Sequence, residues 1–195
     1  MGAFFRSYGE AWDFFLGRKE PLKWFLEDFP EEEVFAIEGW LIEPSPAVKA
    51  SAARIQERLR QFSWLVAIPD HFLHVWFGDA RALGDRTNSW AGSGAAEIEY
   101  RNVSCFHSAV VVEAHAPSLA RMIEGTDLDP ETFLPHLTIA ITRERHDPAE
   151  LRDLLIPLRD ARVATETAMQ VKRVRVPASR TTFLQPWDVL ELVSL

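Results

Sequence analysis

Hydrophobic and polar positions alternate along this chain with two different periods, and the periods lay out its elements. In residues 46–62 the apolar positions Val48, Ala52, Ile55, Leu59 and Phe62 are spaced four, three, four and three, the spacing of one helix face. Ser45 precedes that run as an N-cap, and Pro46 sits in its first turn. Lys49, Arg54, Glu57 and Arg58 fall on the opposite, solvated face. A second helix is expected from Asp147, the N-cap, with Pro148 first and Glu150 as the reciprocal capping residue. It buries Leu151, Leu154, Leu155 and Leu158. Ser118 to Glu124 predicts a short helix on Leu119, Met122 and Ile123, stopped by Gly125.

Between these lie segments with a period of two. Val34–Ile42, Leu65–Ile68, Ile98–Val103, Ser108–Glu113, Met169–Val176 and Val189–Leu195 all predict strands. So do His71–Asp79 and the run Phe133-Leu134-Pro135-His136-Leu137-Thr138-Ile139-Ala140-Ile141. Residues 79–95, with Gly84, Asn88, Ser89, Gly92, Ser93 and Gly94, predict a mobile loop. Residues 1–33 form an aromatic-rich prefix with two clusters, Ala11 to Leu16 and Leu22 to Phe29, separated by Gly17 and Pro21. They predict two short helices with a break, ended by Pro30 and Glu31-Glu32-Glu33. Grouped strands with interspersed helices indicate an α+β fold rather than a doubly wound sheet.

The totals narrow the function. At 195 residues and 47% hydrophobic, the chain has material for a sizeable core. A formal net charge of -8 opposes a non-specific grip on long nucleic acid, and leaves room for a small anion in a locally basic cleft. Cys105 is the only cysteine, so no internal disulfide and no multi-cysteine metal site exists; its apolar context marks it as a buried, inert thiol. No apolar window is long enough for a membrane span. The N-terminus, with Arg6, Glu10 and Asp13 among its aromatics, lacks the pattern of a signal peptide, so a cytosolic location is expected.

Two strands carry chemistry. On one, His136 and Thr138 share a face while Leu137, Ile139 and Ile141 take the other. On the other, His74, Trp76 and Gly78 share a face. Two histidines facing one another across a cleft suit phosphodiester chemistry, one taking a proton from the attacking oxygen and the other giving one to the leaving oxygen. Three-residue spacing on a strand sends His71 and His74 to opposite faces, against a metal site there. His107, His115 and His146 have no partner at motif spacing and read as surface or strand-end residues.

At His74-Val75-Trp76 and His136-Leu137-Thr138 the sequence resembles the 2H phosphoesterase superfamily, in particular its 2′,5′-RNA ligase and cyclic phosphodiesterase-like branch. Pro135-His136-Leu137-Thr138-Ile139 matches the second of the two His-x-Thr/Ser motifs, and Phe72-Leu73-His74-Val75 with Phe77-Gly78 is similar to the first. The resemblance covers residues 34–195 and leaves the 1–33 extension outside it. It implies a bilobal fold of two antiparallel sheets flanking a central cleft, with helices outside. It also implies metal-independent, cofactor-free action on a small nucleotide or RNA-end phosphodiester, 2′,3′-cyclic or 2′,5′-linked. His74 and His136 would be the acid/base pair and Thr138 a phosphate-contacting hydroxyl.

The first motif departs from the pattern at Trp76, which stands where Thr or Ser is expected. An indole has one N–H donor and no acceptor, so it donates to a phosphate, stacks a base, or plugs the cleft. Arg173 and Arg175, one strand face of the densest basic cluster, are the candidates for drawing a phosphate in; a solvated strand edge is the other reading. Two rivals stay open: a nucleotide-binding module using the same cleft without turnover, and an interaction protein, such as a homodimer, working through the aromatic prefix.

Overall fold

A computed structural model describes residues 5–32, 35–83, 90–124 and 133–195, apart from the Phe35 side chain. Its elements run α1 (Tyr8–Gly17), β1 (Phe35–Ile42), α2 (Pro46–Leu59), β2 (Leu65–Ala67), β3 (Val75–Asp79), α3 (Ala80–Leu83), β4 (Ala96–Phe106) and β5 (Ala109–His115). They continue α4 (Pro117–Met122), β6 (His136–Thr142), α5 (Ala149–Leu155), β7 (Arg162–Ala168), β8 (Gln170–Ala178) and β9 (Asp188–Ser194). Glu33, Val34, the loop positions 84–89, the Gly125 stop and the link to residue 132 lie outside the described residues.

The strands form an antiparallel sheet in the order β7-β4-β5-β6-β3-β1-β8-β9, with β2 also on β6. The α+β reading holds. The two sheets expected from the resemblance are joined into one, because β3 and β6 meet at the single pair Val75–Leu137. That narrow seam brings the two histidine strands side by side at the middle of the sheet. Val75 and Leu137 are fully buried, so apolar packing holds the seam.

The cleanest periodicity gave the cleanest helix. In α2 the Ser45 hydroxyl accepts from Val48 N–H, and Val48, Ala52, Ile55 and Leu59 are buried. Gln56 on its packed side donates from Nε2 to the carbonyls of Ile68 and Ile139, 2.8 Å each, tying the helix to β6 behind the second motif. The helix at 147 differs from expectation at its start. Asp147 Oδ1 accepts from Ala149 N–H, 2.8 Å, one position short of the predicted cap, and Pro148 takes the N-cap place.

Three other expectations are corrected. The second aromatic cluster of the prefix is not helical: after α1, Leu22 forms a β-bridge with His146, and Phe25 N–H bonds the Thr142 carbonyl. Pro21 breaks the helix, and the strand-end groups of β6 offer backbone partners that a second helix would forgo. The predicted strand 71–79 is a strand only from Val75; Asp70–Phe72 is a turn of 3₁₀ helix. The loop 79–95 begins with the helical turn α3. One strand, β7, has no counterpart in the sequence reading. Before the buried Ala168 its residues are only half-buried or exposed at the sheet edge, so no apolar run marks it.

Candidate active site

The register at the seam builds the site. Stepping one residue either way from Val75–Leu137 puts His74 across from Thr138 and Trp76 across from His136. All four side chains then project from one face of the sheet, opposite to Val75 and Leu137. The His74 and Trp76 rings lie 5.8 Å apart, as neighbours on one face should.

The two imidazoles are held in the same way. His74 Nδ1 donates to the Phe72 carbonyl at 2.7 Å, and His136 Nδ1 donates to the Leu134 carbonyl at 2.8 Å. Each bond runs to the residue two before the histidine. A carbonyl can only accept, so both neutral rings carry the proton on Nδ1 and leave Nε2 as the working nitrogen. Both rings are partly buried. Burial pushes the His74 pKa down to about 4, against the bond to Phe72, and a charge on His136 lowers it further. Burial also lowers His136, partly offset by its bond to Leu134. Both rings thus lie below the ordinary imidazole value, and near pH 7 the unliganded pair is neutral.

Aromatic side chains frame both rings. Phe72 and Trp187 stand edge-on to His74, at 5.4 and 5.3 Å, and Phe106 stands edge-on to His136 at 4.9 Å. The prefix reaches both frames. Phe5 lies 5.9 Å from Phe106, while Phe25 lies 5.2 Å from Phe183, which lies 5.2 Å from Phe72. Residues 5–32 therefore spend most of their aromatic surface inside the fold; Phe14 and Leu16 are the exposed large apolar residues of this stretch. Phe106, Trp187 and Phe183 had no signal in the sequence beyond being aromatic, because they come from elements far apart in the chain.

Trp76 has a fixed seat. A Cβ on Gly39 of β1 would fall 2.2 Å from Trp76 Cζ2 and 2.4 Å from Cη2, so the benzo ring lies directly on the glycine. A hollow of about 190 Å³ opens beside it, lined by Phe72, His74, Trp76, Phe183, Ile37, Val176 and Asp79. A larger hollow of about 530 Å³, lined by Glu38, Arg81 and Arg173 among others, contains neither histidine.

Arg173 and Arg175 are not brought to the histidines. They pair with Trp40 and Glu38 across β1–β8, whereas Gly39 and Ile37, beneath the site, pair with Val174 and Val176. Both guanidiniums are thus on the other face, ion-paired to Glu38 at 3.0 and 2.7 Å. The solvated reading fits them better, on a face of the sheet rather than at its edge, since β9 covers β8. His71 lies apart, its Nε2 bonded to the Leu184 carbonyl at 3.1 Å. His146 stacks on Trp64 at 4.3 Å, and His115 joins buried Glu113 at 3.0 Å. Among the described residues no three His, Cys, Asp or Glu side chains are grouped as a metal site requires, and no helix is long and apolar enough to cross a membrane.

Solved structures share this arrangement of elements. Escherichia coli LigT complexed with phosphate superposes with a TM-score of 0.56 at 11% identity, covering 91% of this chain and 99% of LigT. This chain has the fold of LigT. The LigT complex with 3′-AMP gives 0.52 at 13% identity, over 91% of this chain and 99% of LigT. TT0787 of Thermus thermophilus gives 0.51 at 16% identity, over 82% of this chain and 97% of TT0787. LigT and TT0787 are members of the 2H phosphoesterase superfamily, so at the level of fold the expected resemblance is borne out. No family model and no curated protein matches the sequence.

Proposed function

We propose that this LigT-like protein is a phosphodiesterase that uses His74 and His136 as an acid/base pair on a small nucleotide or RNA-end phosphodiester, 2′,3′-cyclic or 2′,5′-linked. The observation that carries this reading is the matched pair of imidazoles. Each is anchored at Nδ1 by a carbonyl two residues back, and each sits on the same sheet face at the seam. LigT itself has been crystallised with phosphate and with 3′-AMP, which supports a nucleotide phosphate as the ligand class.

On a 2′,3′-cyclic phosphate the steps balance with one water. The Nε2 lone pair of one ring takes a proton from water as its oxygen attacks phosphorus. The bond from phosphorus to one ribose oxygen breaks, and the second ring, protonated at Nε2, delivers a proton to that oxygen. The product is a phosphomonoester beside a free hydroxyl. An incoming phosphate anion favours the charged form of one ring, which supplies the imidazolium that burial withholds from the empty site. The Thr138 hydroxyl, across the seam from His74, is the donor for a non-bridging oxygen as charge builds.

The test is turnover of a panel of 2′,3′-cyclic nucleotides and 2′,5′-linked dinucleotides with chelator present. Removing the imidazole in His136→Ala or His74→Ala should lower the rate by about a hundredfold or more. No turnover of any panel member by wild type, or an undiminished rate in both variants, defeats the proposal. A second reading rests on Trp76, which replaces a phosphate-holding hydroxyl with a stacking surface. In that case the protein binds nucleotides without turnover, and calorimetry gives a binding isotherm where the assay gives no product.

A further inference from the structure

We propose that the hollow beside His74 is a base-binding subsite, with Trp76 as its stacking platform and Asp79 as the acceptor that reads the base edge in favour of guanine. The phosphate's place between His74 and His136 rests on the phosphodiesterase reading; the base subsite itself does not. Three observations lead here.

The first is the seat of Trp76. The indole occupies the position across the seam from His136, and its benzo ring rests on Gly39, where any side chain would collide at 2.2 Å. A side chain wedged in this way is a rigid surface, which is what stacking needs. The residue pair Gly39 and Trp76 acts as one unit: the absent side chain on β1 is the space that the large one on β3 fills.

The second is the character of the hollow. Its walls, Phe72, Phe183, Ile37 and Val176, are aromatic and aliphatic, and no Lys or Arg lines it. A phosphate placed there would meet apolar surface and the negative charge of Asp79. At about 190 Å³ it is smaller than the roughly 300 Å³ at which pockets begin to take drug-sized ligands, so it suits one flat ring system rather than a whole nucleotide.

The third is Asp79. It ends β3 and lines this hollow as well as the larger one that holds Arg81 and Arg173, and it is the hollow's only carboxylate. An ionised carboxylate only accepts hydrogen bonds, and can accept two side by side. Guanine presents adjacent N–H donors on its Watson–Crick edge. Adenine and cytosine present an amino group beside an acceptor, and uracil flanks its single N–H with two carbonyls that a carboxylate repels. A stacked base read along that edge is a common recognition mode for unpaired nucleotides.

The experiment separates the subsite from the chemistry by using probes without phosphate. Guanosine and uridine are titrated into the full chain and followed by ligand-observed NMR. In parallel, 2′,3′-cyclic GMP, 2′,3′-cyclic UMP and the base-free glycerol 1,2-cyclic phosphate are assayed for turnover. Guanosine should bind about tenfold or more tighter than uridine, the worth of a charge-assisted hydrogen bond to the Asp79 carboxylate. Asp79→Asn, a change at an exposed position, should erase that preference, while Trp76→Leu should weaken both nucleosides and Trp76→Phe should retain most of the binding. Equal binding of guanosine and uridine to wild type, or an unchanged preference in Asp79→Asn, overturns the proposal. If the base-free phosphate is cleaved as fast as the nucleotides and no nucleoside binds, the subsite is refuted and the phosphodiesterase reading stands. If guanosine binds selectively and no cyclic phosphate is cleaved, the subsite stands and that reading falls.

Discussion

Replacing Gly39 by alanine puts the contact beneath the site to a direct test. The added carbon would meet Trp76 Cζ2 at 2.2 Å, Trp76 Cη2 at 2.4 Å and the Gly78 carbonyl oxygen at 2.6 Å, all far inside van der Waals contact. Two of these three collisions involve one indole, and the third involves backbone. Overfilling a packed position costs about 1–3 kcal/mol. Gly39→Ala should therefore lie towards the top of that range, with the indole forced into the hollow beside His74. Trp76→Thr restores a hydroxyl at the first motif and removes both indole contacts, at its own cost of about 2 kcal/mol for lost burial of a half-exposed ring. In the double variant only the carbonyl contact remains. The two changes should then cost less together than separately, with a coupling of about 1–2 kcal/mol. Urea unfolding of the four proteins, followed by far-ultraviolet circular dichroism, measures the cycle. Additive costs would show that the indole does not rest on Gly39, and would remove the argument for a rigid platform.

Three further outcomes are expected. The pH profile of kcat/KM should peak on the acid side of 6.5 and fall by up to about tenfold per unit above the peak. Both folded pKa values lie below the ordinary value of 6.5, His74 at about 4, so the unliganded form with one charged ring is populated only in acid. A profile flat from pH 5 to 8 would contradict this. Glu113→Ala should destabilise the chain by about 3 kcal/mol in the same urea assay, because it strands Arg159 and strips Asn102 and His115 of a buried acceptor; Glu113→Gln should cost less. Cys105 is buried and its thiol is pushed up to about 12 by that burial, so thiol reagents at pH 8 should label it in urea and leave it unlabelled in the native protein.

What was legible in the sequence was what depends on one element at a time. Val48, Ala52, Ile55 and Leu59 announced α2 because a helix face repeats locally. His136 and Thr138 announced a half-site because a strand face does. The seam could not be read in this way. Whether His74 faces Thr138 or lies a residue out of step depends on the register of β3 against β6, set by a single pair of buried residues about sixty positions apart. The same limit applies to Arg173 and Arg175. Their shared face was correctly read, but which face of the sheet it was depends on pairing with β1. Gly39 illustrates it again, since a lone glycine in a strand carries no mark of the side chain that will cover it.

The pairing order carries a consequence for how the molecule comes to be made. β1, the first strand in the chain order, takes as neighbours β3 and the late strand β8. Arg180, farther on still, donates to the Leu26 and Glu27 carbonyls, and its N–H bonds the Pro30 carbonyl. A ribosome extruding this chain thus releases the floor of the Trp76 platform long before the strand and turn that close around it. Until then β1 has one bare edge and the prefix aromatics have only part of their cover, a state open to mispairing with other nascent chains. Contacts of such long sequence separation also slow the final closure. The surround of His74 is complete only once Phe183 and Trp187 have emerged, so shorter products carry both histidines but lack the two late aromatics on the His74 side.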